Sequence, residues 1–240
     1  MVINELIRAV RPSRGSLVYL LKTEQGLVAV DTGAEPRGAL MVNEYVRRRF
    51  QEELRYIFLT HWHGDHTGAA EKLRELTGAR IICHRDEARL LAGTGEIEYC
   101  WNRPMPRTGL SPFLRLVSAA GYGLMKANTA PLQPDILVEE GDMPFGSDWT
   151  VIHLPGHTPG SCGLWSARHR ILFAGDTVLC AGEGTLCSPF SFLIQDSEKF
   201  YQSWCKLSRL GEIDWILPGH YRPLRWNKPL DILPAVRKYA

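Results

Sequence analysis

The chain has 240 residues, 45% of them hydrophobic and 22% charged, a balance that suits one folded domain with a full core. Its 28 basic and 26 acidic residues leave a net charge of +2, with no surplus to bind a polyanion, and no run approaches the ~20 apolar residues of a membrane span. Met1–Val10 carries Glu5 and Arg8 instead of an apolar signal segment, and the six cysteines form no C-x-x-C pair. A reduced, cytoplasmic protein without nucleic-acid or membrane partners is therefore expected.

In chain order, Leu17–Lys22 and Leu27–Asp31 read as a hairpin turned by Glu24-Gln25-Gly26. A helix over Gly38–Phe50 follows, and its Arg47-Arg48-Arg49 end complements the helix dipole. Next come a buried strand, Leu54–Thr60, a helix, Thr67–Thr77, and a strand, Arg80–His84. Gly93–Pro134 breaks the rhythm with Pro104, Pro106, Pro112, Pro131 and Pro134. Inside it, Phe113, Leu116, Val117 and Leu124 recur at helical spacing. This insertion reads as a lid whose apolar face walls a substrate pocket, or as a helix that covers the molecule or pairs with a second subunit; a homodimer stays open. Strands then follow at Ile136–Glu139, Trp149–Leu154, Cys162–Trp165 and Ile171–Ala174, a helix at Ser197–Leu210 and a last strand at Asp214–Leu217. No repeat of fixed period occurs, and residues 1–240 read as one domain.

The chemistry is concentrated at strand ends. His61-Trp62-His63-Gly64-Asp65-His66 follows the Tyr56–Thr60 run, placing three imidazoles and a carboxylate on one loop, a donor mixture suited to zinc and similar cations. His157 lies in the turn Pro155-Gly156-His157-Thr158-Pro159-Gly160, Asp176 ends the run Ile171–Gly175, and His220 follows Trp215–Gly219. Four strand-end loops therefore present metal-binding groups. His84, His153 and His169 read as structural, and Cys180 and Cys187 as thiols that are merely close to the site. No G-x-S-x-G or Cys/His pair offers a side-chain nucleophile.

These motifs, together with Val30-Asp31-Thr32-Gly33, resemble those of the metallo-β-lactamase superfamily of metallohydrolases, from about Ser16 to Pro223. The resemblance implies an α/β fold, a four-layer αββα sandwich, here with a helical insertion. It implies that His61, His63 and His157 hold one metal, that Asp65, His66 and His220 hold a second, and that Asp176 bridges them. Asp31 would orient a ligand imidazole. The implied cofactor is two Zn2+, with iron or manganese as rivals. The implied reaction is attack by a metal-bridging hydroxide, with no acyl-enzyme, and with Asp65 relaying a proton.

Departures from sub-family patterns narrow the substrate. Asp176 stands where the secreted β-lactam-degrading branch has Cys, and only 20 residues follow His220, so the glutathione-binding domain of glyoxalase II is not expected. Leu179 stands where N-acyl homoserine lactonases place Tyr, and His63 where flavodiiron relatives place Glu. The expectation is a hydrolase of a small ester, thioester, lactone or related carbonyl compound. The alternatives are a mono-iron persulfide dioxygenase-like enzyme, a phosphodiesterase or, last, a non-enzymatic metal-binding protein.

Overall fold

Apolar runs of five or six residues, flanked by turn-forming sequence, set the strands, and amphipathic stretches of 8–14 residues set the longer helices that cover them. The computed structural model describes residues 1–12, 15–95, 131–180, 182, 184–190 and 193–237. One sheet takes the first half of the chain in sequential order: β1 (Ile7–Val10), β2 (Val18–Thr23), β3 (Gly26–Val30), β4 (Leu54–Leu59), β5 (Arg80–His84) and β6 (Ile136–Val138). Its first three strands are antiparallel, and β3 to β6 run parallel. The second sheet takes the other half, built from β7 (Thr150–His153), β8 (Cys162–Ser166), β9 (Ile171–Gly175), β12 (Glu212–Pro218) and β13 (Leu224–Pro229) in the order β13-β12-β9-β8-β7. β10 (Leu179–Cys180) and β11 (Leu186–Cys187) form a separate short hairpin.

Three apolar layers show how the sheets stack. Between them lie Tyr19, Val28, Phe58, Phe145, Trp149, Leu164, Phe173 and Leu217. The outer face of the first sheet buries Leu20, Ile57 and Ile81 against Val42 and Val46 of α1 (Pro36–Arg49) and Leu73 of α3 (Ala70–Thr77). The outer face of the second buries Leu172 and Ile216 against Phe200, Trp204 and Leu207 of α5 (Ser197–Leu207) and Val236 of α6 (Pro234–Arg237). Helix, sheet, sheet, helix is the expected four-layer αββα sandwich. β9 is buried at every residue, as a strand covered on both faces must be.

Most boundaries shift by a residue or two, and two helix boundaries shift by three, for reasons visible in the backbone. The predicted helix Thr67–Thr77 is two pieces, α2 (Gly64–Thr67) and α3. Asp65 gives its carbonyl to the Ser16 N–H, and the Ala69 N–H turns to the Gly33 carbonyl, so the i→i−4 ladder breaks between them. Helix Ser197–Leu210 ends at Leu207, because Arg209 and Leu210 hydrogen-bond three residues back in a tighter turn. The elements sequence reading left out are short or weakly patterned. They are β1, the β10–β11 hairpin, α4 (Ala88–Leu91), α6, and the edge strand β13, whose residues are mostly exposed. Phe113, Leu116, Val117 and Leu124 lie outside the described residues. The two ends of their segment meet: the Leu132 N–H donates to the Leu91 carbonyl, just before Gly93.

Candidate metal centre

β3 and β4 are parallel neighbours in one sheet, and β9 and β12 in the other. Their carboxyl ends open on one edge of the sandwich, where the sheets are tied directly. Leu17 N–H donates to the Gly219 carbonyl at 2.7 Å, and Cys162 N–H to the Thr60 carbonyl at 2.9 Å. Asp31 follows β3, His61 to His66 follow β4, His157 lies between β7 and β8, Asp176 follows β9 and His220 follows β12. All the strand-end residues named from sequence therefore meet at one place.

His61 Nε2, His63 Nδ1 and His157 Nε2 form a nearly equilateral triangle, with separations of 3.1, 3.2 and 3.1 Å. The rings are buried, and burial, reinforced by neighbouring imidazoles, lowers the pKa of each; that of His63 falls to about 3. A neutral ring nitrogen either donates or accepts, so at least one edge of this triangle opposes like with like. The spacing instead matches donors around one tetrahedral ion, which stand about 3.3 Å apart when the bonds are ~2.0–2.1 Å.

Beside it, His220 Nε2 lies 3.0 Å from Asp65 Oδ2 and 3.2 Å from His66 Nε2. Asp176 stands between the clusters, with Oδ2 3.7 Å from His157 Nε2 and 3.4 Å from His220 Nε2, and Oδ1 3.4 Å from His66 Nε2. Asp176 Oδ1 and Asp65 Oδ1 are buried with no hydrogen-bond partner among the described residues. Gly219 permits this crowding, since a Cβ there would run into Asp176 Oδ1 and the His66 ring. Burial disfavours charge on His66 and His220, yet the carboxylates overcome it. The pKa of His66 lies well above the usual range, and that of His220 rises to about 9. Asp65 and Asp176 are likewise held low by these imidazoles against the effect of burial. This set of carboxylates favours positive charge at the cluster.

The surrounding residues fix the rings. Asp31 Oδ2 accepts from His66 Nδ1 at 2.8 Å, which turns His66 Nε2 into the cluster, and Asp31 itself is held by the Thr60 N–H and hydroxyl. Asp31 adopts φ of 58°, a left-handed conformation uncommon outside glycine, at the turn where its carboxylate is needed. Thr60 Oγ1 lies 3.0 Å from His61 Nδ1. Glu87, a buried carboxylate hydrogen-bonded to Trp62, Thr158 and Gly160, carried no sequence signal. Its partners lie on loops distant in the chain, which spacing in sequence does not reveal.

A second group, His84, Asp86 and His153, also brings its ligand atoms within 4.8 Å of one another. One nitrogen of each ring is already engaged. His84 Nδ1 accepts from the Asp86 N–H at 3.2 Å, His153 Nε2 donates to the Pro159 carbonyl at 2.9 Å, and the rings stack 3.9 Å apart. The structural reading of these histidines fits. His169 packs on Trp149 and pairs with Asp148. Cys180 is buried, and burial pushes its thiol up to about 12.

The family profile described as the Metallo-beta-lactamase superfamily matches residues 11–220, a span that takes in every residue of both clusters. The chain belongs to the metallo-beta-lactamase superfamily. Relatives within it include the Bacillus subtilis (strain 168) protein named "Probable metallo-hydrolase YflN", 29% identical over 221 residues, or 86% of this chain and 80% of the relative. The acyl-coenzyme A thioesterase MBLAC2 of Gallus gallus is 29% identical over 202 residues, covering 82% of this chain but only 61% of that protein. Among solved structures, the metallo-beta-lactamase family protein TTHA1429 from Thermus thermophilus superposes with a TM-score of 0.66 at 21% identity, over 99% of this chain and 78% of that one. The superfamily's fold is thus reproduced over nearly the whole chain. Among the described residues, no helix is long and apolar enough to cross a membrane.

Proposed function

We propose that this superfamily hydrolase is a dinuclear metalloenzyme that cleaves a small thioester or ester. One observation carries the reading: seven side chains from separate loops converge as two triads joined by Asp176. His61, His63 and His157 would hold one divalent ion, and Asp65, His66 and His220 the other, with Asp176 reaching both. Two such ions supply Lewis acidity toward a carbonyl oxygen and a water deprotonated near neutral pH. Zinc suits the imidazole-rich donor set, and iron and manganese are the competitors. The name of the MBLAC2 relative supports a thioester over a lactone.

The chain's own residues do the rest. Asp31 and Thr60 fix the faces that His66 and His61 present. Asp65 Oδ1, which has no hydrogen-bond partner among the described residues, is the atom open to a proton on its way to the leaving group. The thiols of Cys180 and Cys187 take no covalent part. Protein purified without added metal should contain two ions per chain and should hydrolyse members of a panel of acyl thioesters, esters, lactones and phosphodiesters, with thioesters fastest. Asp176→Ala should abolish turnover, whereas Cys180→Ser and Cys187→Ser should leave it nearly unchanged. Metal-free protein, or a substrate-derived adduct on a Ser or Cys, would contradict the proposal.

A further inference from the structure

Glu87 is fully buried yet takes no part in the scheme above. It closes the single 3-10 turn Arg85–Glu87 that follows β5, and three donors converge on its carboxylate. The Trp62 N–H reaches Oε2 at 2.7 Å, while the Thr158 hydroxyl and the Gly160 N–H reach Oε1 at 2.8 and 2.6 Å. Trp62 lies between His61 and His63, and Thr158 directly follows His157. One carboxylate therefore grips both backbone segments that carry the three-histidine cluster.

The grip is built in detail. Ser161 Oγ accepts the Thr158 N–H at 3.0 Å and lies 2.7 Å from Thr158 Oγ1, which leaves the Thr158 hydroxyl proton for Glu87. Gly160 brings its N–H this close because any Cβ would collide with the Glu87 backbone and side chain. Among the described residues no cation pairs with Glu87, and burial raises its pKa to about 7 against the three hydrogen bonds that lower it. A buried carboxylate facing only donors costs stability unless positive charge stands nearby.

We propose that Glu87 is a positioning residue for the metal centre, setting the spacing of His61, His63 and His157 and balancing with its charge the cation those neutral imidazoles hold. This rests on the metal-binding reading above. Its test is zinc affinity, measured by competition with a chromophoric chelator, together with the absorption spectrum of the cobalt(II)-substituted protein, in wild type, Glu87→Gln and Thr158→Val. Gln keeps the size but removes the charge and turns an amide N–H2 toward at least one of the three donors. One of the two zinc sites in Glu87→Gln should weaken by roughly 10–100-fold, the usual effect of losing an outer-shell partner, and its cobalt spectrum should change. Thr158→Val keeps Glu87 and should shift both readouts in the same direction by a smaller factor. A residue that only staples the fold would lower the unfolding temperature of the metal-free protein and leave affinity and spectrum unmoved; that result in Glu87→Gln overturns the proposal. If Glu87→Gln does not fold, wild-type affinity and spectrum in Thr158→Val overturn it instead. A wild-type protein that takes up no zinc sinks the metal reading itself, an outcome distinct from the other two.

Discussion

At the scale of single residues, orientation matters as much as identity. His66 has two ring nitrogens, and Asp31 claims one of them at 2.8 Å, so only Nε2 is presented to the cluster. Asp31→Asn keeps the shape but offers a weaker, uncharged acceptor, and should cost about 10–100-fold in metal affinity or turnover, measured by chelator competition and steady-state kinetics. Away from the two clusters, His84 is held neutral to about pH 4, by burial first and by the stacked His153 second. The unfolded chain takes up this proton near pH ~6.5, so the unfolded state binds protons first and stability is lost as pH falls from ~6.5 toward 4. In His153→Ala the second cause is gone, and the His84 titration followed by NMR should move upward; an unchanged midpoint would refute the pairing. His61, His63, Asp65, His66, His157, Asp176 and His220 were all legible in the sequence because each belongs to a short motif at a strand end. Glu87 was not, because a hydrogen bond to a backbone N–H asks only for an oxygen at the right place, and many residues supply one.

At the scale of elements, helix α5 links stability to the site. Asp196 caps it by accepting from the Lys199 N–H at 3.1 Å, and Asp196→Ala should lose about 1 kcal/mol in denaturant unfolding. Trp204 is fully buried in the same helix, and its indole N–H donates to the Thr177 carbonyl at 3.0 Å, one residue beyond Asp176. Trp204→Ala should destabilise by about 3–5 kcal/mol through the cavity it leaves. Trp204→Phe should fill most of that space and still cost about 1–3 kcal/mol, because the Thr177 carbonyl is left unsatisfied. Element existence followed from periodicity; element ends did not. α2 and α3 separate where Asp65 and Ala69 send their backbone groups to Ser16 and Gly33, partners distant in sequence.

For the whole molecule, the two sheets are joined at the edge that carries the clusters, so ions bound there would bridge both halves of the chain. Zinc present at a thousand times its dissociation constant adds about 4 kcal/mol to the folded state. In a domain of this size that corresponds to roughly 8–16 °C in Tm, the loss expected in calorimetry after chelation. Equal melting with and without chelator would mean that the clusters bind no metal in the folded state.

The sequence by itself determined the candidate donors, their placement at strand ends and the two-half alternation of strands and helices, because motifs and periodicity are local properties. Only the tertiary structure decided that four distant loops share one edge, that His61, His63 and His157 stand 3.1–3.2 Å apart, and that Glu87 binds two of those loops at once. Those distances depend on how parallel strands register and how two sheets pack face to face. Such contacts join residues as far apart in the chain as Leu17 and Gly219, a separation that no short window of sequence contains.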